Sequence, residues 1–534
     1  VNELATRLQG AIATPYCIVA ALVLLAGAPA PSSAQAGNPV TIDGLGTITF
    51  PVTTSSAGAE RAFVRGVLLL HLFHYEEAAE AFEAAERLDP SLAMAYWGEA
   101  MTHTHGVWND QDLDAGRAAL ARLGATPAAR AARAATERER GYLHAVEVLY
   151  GDGPKARRDT LYADAMADLV RQYPGDDEAR AFYALALLGL NQGVRDSSTY
   201  LRAAAIAESV FARNPHHPGA AHYWIHGMDD PDHATGALPA ARALSEIAPD
   251  AGHAQHMTSH IFMALGMWDD VVRANENATR VVDRARAAAG RPPARCGHYL
   301  LWLEYGYLQQ GRHDDAAAIL DECIAASSRG DPVSLDPDNS TLGSAVAMWS
   351  HFLVDTEGWA TDRAGWSPEF GSSDPPRVTW AFTSALAAAR RGDDITARAR
   401  FRDFGAAKAR MENRLAGSTV PDEVEYQKGL AILDLELQAV VGLAEDAGSS
   451  DRALSLLRRA ADLEDGLAYA FGPPVLVKPS RELLGEVLLQ AGRPAEAREA
   501  FQAALRRTPR RALATRGLAQ ATAAIRKSDA RGSP

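Results

Sequence analysis

Apolar residues return at intervals of three and four along almost the whole chain, with Ala, Leu and Arg filling much of the rest, the pattern of amphipathic helices buried along one face. The class this predicts is all-α. The exception is a Gly- and Thr-rich lead over residues 37–58, where Thr47-Ile48-Thr49-Phe50 reads as one short strand. Helical register breaks over 106–140, 284–296 and 327–377. The last of these carries Pro332, Pro337, Pro368, Pro375 and Pro376 and reads as an irregular insertion. Its Trp359 and Trp366 argue that it packs against the body rather than floating free. Residues 511–526 read as a polar capping helix and 527–534 as a disordered tail.

Small and aromatic residues add a longer period. In a frame starting at 478, Gly485 falls at position 8, Gly492 at 15, Ala497 at 20, Phe501 at 24, Ala504 at 27 and Pro509 at 32. The same frame from 59 finds Gly66, Ala78, Phe82, Ala85 and Pro90, and weaker copies start near 93, 184, 218, 252, 297, 378 and 434. A 34-residue unit with small residues where two helices touch, an aromatic between them and a closing Pro resembles the tetratricopeptide repeat. The resemblance implies an α-α superhelix, a solenoid of about nine helical hairpins. Its repeats run over 59–326 and 378–526, on either side of the insertion. Each hairpin alone leaves an apolar face open, so stacking supplies the stability.

The stretches Phe63-Val64-Arg65-Gly66-Val67-Leu68-Leu69-Leu70-His71, His217-Pro218-Gly219-Ala220-Ala221-His222-Tyr223-Trp224-Ile225-His226 and Ala254-Gln255-His256-Met257-Thr258-Ser259-His260-Ile261-Phe262 are similar to a subgroup of exported bacterial tetratricopeptide-repeat proteins of unestablished biochemistry. Thr258 stands where that subgroup favours Pro. The resemblance implies a concave groove, lined by the first helix of each hairpin, that binds a partner protein or peptide. It implies no reaction.

Sixteen His are present, and their spacing departs from that of a generic repeat protein. His222 with His226 and His256 with His260 are pairs at i and i+4, which a helix brings to one face, one turn apart, close enough to chelate one ion. The two pairs are 34 residues apart, as are His71 and His105. Sixteen His placed at random give about 0.5 such matches, and three occur. In the repeat frame His222 and His256 share position 5, His226 and His260 position 9, His253 and His298 position 2, and His71 and His105 position 13. The resemblance turns these positions toward the groove. The candidate metal set is therefore His222, His226, His256 and His260, with His253, His71 and His105, and four imidazoles suit zinc, copper or nickel. Tyr223, Trp97, Met101, His298, Tyr305 and Asp230 are expected along the groove. The plainer reading is that the imidazoles bond neighbouring Tyr and Trp or touch a bound peptide. His216 and His217, between Pro215 and Pro218, read as solvated turn residues.

Composition narrows the remaining classes. Lys and Arg total 53 against 67 Asp and Glu, a net charge of −14 that gives nucleic acid or anionic lipid no electrostatic footing. Only three Cys occur, so a Cys-rich metal site is excluded. Cys296 and Cys323 fall at neighbouring ends of one hairpin; either they form a disulfide, or Cys323 simply fills the small position 27. Residues 1–36 carry an apolar stretch, Tyr16 to Ala28, before Ala34-Gln35-Ala36, and read as a secretory signal too short to span a membrane. That predicts export to the periplasm or beyond. There is no His-Glu-x-x-His motif, phosphate loop or nucleophile elbow, and Asp230 is the one near candidate for a base. A binding protein is expected rather than an enzyme, either a scaffold for a protein partner or a metal-binding protein.

Overall fold

The computed structural model describes residues 37–192, 194–329 and 340–532. The expected leader, 1–36, lies outside them. Among the described residues twenty-three α-helices account for most of the structure, stacked as antiparallel hairpins into the expected α-α solenoid. No helix among the described residues is long and apolar enough to cross a membrane.

Why the repeat positions matter is visible at the aromatic of each unit. Phe82 lies between Gly66 of its own hairpin and Gly98 of the next, and a Cβ on either glycine would run into its ring. Phe501 lies in the same way between Gly485 and Gly517. An aromatic in one helix thus needs a missing side chain in each of its neighbours, and the 34-residue recurrence is that packing requirement written along the chain.

Several local expectations are corrected. The lead forms a two-stranded antiparallel ribbon, Val40–Ile42 with Gly46–Ile48, rather than one strand at 47–50. Thr47 N donates to His216 O at 3.0 Å and Asn214 Nδ2 to Thr47 O at 2.8 Å, which pins the ribbon to the turn ahead of Pro218. The stack contains a hairpin, Glu137–Leu149 with Lys155–Gln172, that the nine-unit count omits. It opens on a capping box, Thr136 with Glu139, and closes on Pro174, with Leu169 rather than an aromatic against its Gly141. Residues 327–377 are not wholly irregular: Thr341–Thr356 is a buried helix, and Trp349 Nε1 donates to Arg363 O at 2.7 Å to hold the chain that follows. Helix Ala512–Gly532 continues through most of the expected tail.

The stack folds back on itself. Trp268 Nε1 donates to Arg510 O at 3.1 Å, and Ala512 N donates to Gln309 Oε1 at 2.9 Å. Arg511, expected on a polar cap, is fully buried between the two halves. Its guanidinium meets Glu482 at 2.9 Å, Asp355 at 2.8 Å and Tyr305 Oη at 2.7 Å. The loop between helices Ser450–Asp465 and Ser480–Gln490 crosses to the first half, where Gly472, at φ +99°, leaves no room for a Cβ beside Trp302. Cys296 and Cys323 are joined as a disulfide.

Removing one partner of a buried ion cluster leaves the others uncompensated, which costs about 3–5 kcal/mol. Arg511→Met should lower stability by that order, with partial recovery when Glu482→Gln and Asp355→Asn are added. Urea unfolding of the three proteins measures both effects.

Candidate metal centre

Three helices, Pro218–Gly227, Gly252–Ala264 and His298–Gln309, bring six imidazoles into one hollow. The first is started by Pro218 at its N-terminal turn and by His217, whose Nδ1 accepts from Ala220 N at 3.1 Å. The first two helices are buried around most of their circumference and the third beyond its first turn, so His222, His226, His256 and His260 are held away from water while His253 and His298 are half-buried. Within the hollow the six rings sort into two trios, His222 with His226 and His253, and His256 with His260 and His298.

In the second trio the hydrogen bonds decide the chemistry. His260 Nδ1 lies 2.6 Å from Asp229 Oδ2, a carboxylate that only accepts, so Nδ1 carries the proton. His256 Nδ1 lies 2.7 Å from Asn275 Oδ1. The Asn275 amide is oriented because its Nδ2 donates to Val271 O at 2.9 Å, so here too Nδ1 is the donor. Both Nε2 atoms are therefore bare. They face each other at 3.1 Å, and His298 Nε2 stands 3.0 Å from that of His256. A single lone pair on His256 cannot serve two neighbours, whereas one ion at the focus of three imidazoles, about 2.0 Å from each, fits these separations. Burial, followed by the charge of His298 and His260, pushes the His256 ring well below the usual imidazole range, which opposes filling the gap with a proton.

The first trio shows the same polarity. His222 Nδ1 donates to His71 O at 2.7 Å, a carbonyl at the C-terminal end of helix Ala57–His71, and its Nε2 is left bare. The Nε2 atoms of His222, His226 and His253 are all buried without a hydrogen-bond partner, and one ligand atom from each lies within 4.8 Å of the others. Burial drives the His222 ring down to about 3 and those of His226 and His253 well below the usual range, with the neighbouring rings adding to the effect. Phe73 covers the trio, its ring 4.3 Å from His222, 5.5 Å from His253 and 5.8 Å from His226. It does so from a left-handed backbone, φ +58°, that a bulky residue adopts only under strain.

Other expected ligands lie elsewhere. His71 is outside both trios: its Nε2 meets Glu178 Oε2 and its Nδ1 meets Tyr223 Oη, each at 2.8 Å. His217, expected in solvent, is buried and faces the other Glu178 oxygen at 3.1 Å. His71, Glu178 and His217 form a third group whose ligand atoms lie within 4.8 Å of one another, here with a carboxylate among them. Burial alone would raise the Glu178 carboxyl, but the charge and hydrogen bonds of His217 and His71 outweigh it and hold it at about 2. His105 is half-exposed, stacked 4.0 Å from Tyr75 and paired with Asp110, because its helix ends at Thr102 and the chain turns away there. Trp97, Met101, Tyr223 and Tyr305 are core residues rather than the lining of an open groove, since adjoining helices close over them. Asp230 is engaged by Arg195 at 2.6 Å, whereas Asp229 orients His260.

Sequence reasoning passed over Asn275, Phe73 and Phe471 as parts of the site, and the first two carried a signal. Asn275 occupies repeat position 24, where Phe82 and Phe501 stand in their units. Phe73 occupies position 15, which Gly266, Gly311, Gly392 and Gly492 fill elsewhere. Phe471, 5.2 Å from His260, arrives from the far end of the chain and carried none.

Residues 59–92 match the family model of the tetratricopeptide repeat, over the hairpin Ala57–His71 with Tyr75–Leu88. That hairpin carries the tetratricopeptide repeat. No curated protein matches it. Among solved structures it is similar to the tetratricopeptide-repeat domain of P58(IPK), with 15% identity over 88% of this chain and 99% of that one, at a TM-score of 0.20. It is also similar to yeast Tom70, with 12% identity over 90% and 91% and a TM-score of 0.28. For a human IFIT1 dimer with m7Gppp-AAAA the identity is 12% over 89% and 91%, with a TM-score of 0.33. Superpositions this loose say nothing about the hollow.

The Glu178 clamp has a measurable consequence. Its carboxyl sits at about 2 against an ordinary 4.5, so the stabilisation is complete above 4.5 and lost as pH falls through 2. Glu178→Gln should lower stability at neutral pH. Urea unfolding at a series of pH values should show the gap between variant and wild type closing between pH 4.5 and 2.

Proposed function

We propose that this protein binds metal, holding one ion at His222, His226 and His253 and a second at His256, His260 and His298, and that it works outside the cytoplasm. The observation that carries the proposal is the facing of the bare Nε2 atoms of His256 and His260 at 3.1 Å, their tautomers dictated by Asn275 and Asp229, with His298 Nε2 3.0 Å from that of His256. Orienting partners of this kind, a carboxylate or amide on the far nitrogen, are what metal-bound imidazoles require. The partnerless Nε2 atoms of the first trio support the same reading. The Cys296–Cys323 disulfide supports an oxidising compartment and hence export.

A tetratricopeptide fold is also consistent with a protein-interaction scaffold. At the hollow itself metal is favoured over a peptide, because the chain's own Phe471 and Gly472 already lie against His260 and Trp302. A partner protein would bind to other surfaces of the stack.

Elemental analysis of the purified full-length protein should find two transition-metal ions per chain. His226→Gln and His260→Gln should each lower that to one while circular dichroism stays helical. Protein that stays metal-free after dialysis against zinc and copper would sink the proposal.

A further inference from the structure

We infer that the hollow takes a pair of copper(I) ions in preference to zinc(II) or another divalent ion. The inference rests on the metal reading above and concerns charge. Every ligand in both trios is an imidazole, and no fourth His, Cys or carboxylate joins either trio among the described residues. The donors are neutral, so whatever charge the ions carry stays in the hollow uncancelled. A structural zinc site closes with four protein ligands, whereas each trio offers three and would leave a zinc to take its fourth from water.

The surroundings make a high charge costly. The trios are adjacent, with the rings of His226 and His260 6.0 Å apart and those of His253 and His256 6.2 Å apart. Their walls are rings as well: Phe73 against the first trio, and Trp302 at 4.4 Å and Phe471 at 5.2 Å from His260 in the second. Of the carboxylates nearby, Glu178 is committed to His71 and His217, and Asp230 to Arg195. Among the described residues Asp229 is the carboxylate paired with a ring of either trio, through His260. Arg195 also donates to His226 O at 3.0 Å and Gly227 O at 2.9 Å, so its ion pair with Asp230 stands behind the first trio with no net charge to offer the ions.

Repulsion between two ions follows the product of their charges, and the cost of burying each follows the square. Both are about fourfold larger for a divalent pair than for a monovalent pair at the same separation. With one carboxylate to offset them, two monovalent ions fit this hollow and two divalent ions do not.

The test is an anaerobic titration of the full-length metal-free protein, with copper(I) against a chromophoric copper(I) chelator and with zinc(II) against a chromophoric zinc chelator. Two copper(I) ions should bind and be retained in a large molar excess of zinc. His298→Gln, at a half-buried position, should reduce the copper(I) stoichiometry to one with the helical circular dichroism unchanged. His253→Asp, which places an anion in the first trio, should move the preference toward zinc by about tenfold or more. Two zinc ions that copper(I) does not displace would overturn the inference and leave the metal reading standing, as would a His253→Asp variant with unchanged preference. Protein that binds neither metal removes the metal reading itself, and this inference with it.

Discussion

A neutral imidazole has one protonated and one bare nitrogen, and which is which depends on what the far nitrogen touches. In this protein that choice is made three times by groups that can only accept: the Asp229 carboxylate, the Asn275 amide oxygen and the His71 carbonyl. Each turns a bare Nε2 inward. The rest of the interior is arranged around this constraint, since rings held neutral and buried with their lone pairs converging must be surrounded by groups that do not compete for them. Phe73, Trp302 and Phe471 meet that need, and the one carboxylate that would compete most strongly, Glu178, is held by a separate pair of imidazoles.

The repeat architecture and the site make opposite demands, and the conflict shows at particular residues. Position 15 of the repeat is a left-handed turn that glycine adopts without strain, as Gly311 and Gly492 do at φ +73° and +71°. Phe73 accepts the same turn with a full side chain, and its ring covers three imidazoles. Position 24 is where Phe82 wedges between two glycines. Asn275 gives up that packing to orient His256. Local rules are broken where a second requirement outweighs them, and both breaks can be read against the frame of the other repeats.

Closure of the stack is the step that turns a row of hairpins into a sealed interior. A solenoid in which each unit meets only its neighbours leaves its inner face open along its length. Here Arg511 is drawn between Tyr305, Asp355 and Glu482, more than a hundred residues from the first two, and the loop after helix Ser450–Asp465 is carried onto Trp302. A basic residue near a C-terminus reads as a solvated cap when only its neighbours are considered. It is buried because its partners come from other turns of the stack, which no local pattern reports.

The all-α class, the hairpin plan and the pairing of His222 with His226 and of His256 with His260 were already determined by the amino-acid sequence. A period of 34 fixes the angular position of a residue within its hairpin, and a period of 3.6 fixes which side chains share a helix face. Tertiary structure alone decided that six imidazoles divide three and three, that His298 joins them while His71 and His105 do not, and that the hollow is closed by residues from the far end of the chain. The reason is physical: register sets where a ring points within its own repeat, whereas the curvature of the stack and the acceptor on its far nitrogen come from segments that sequence separation does not bring into view.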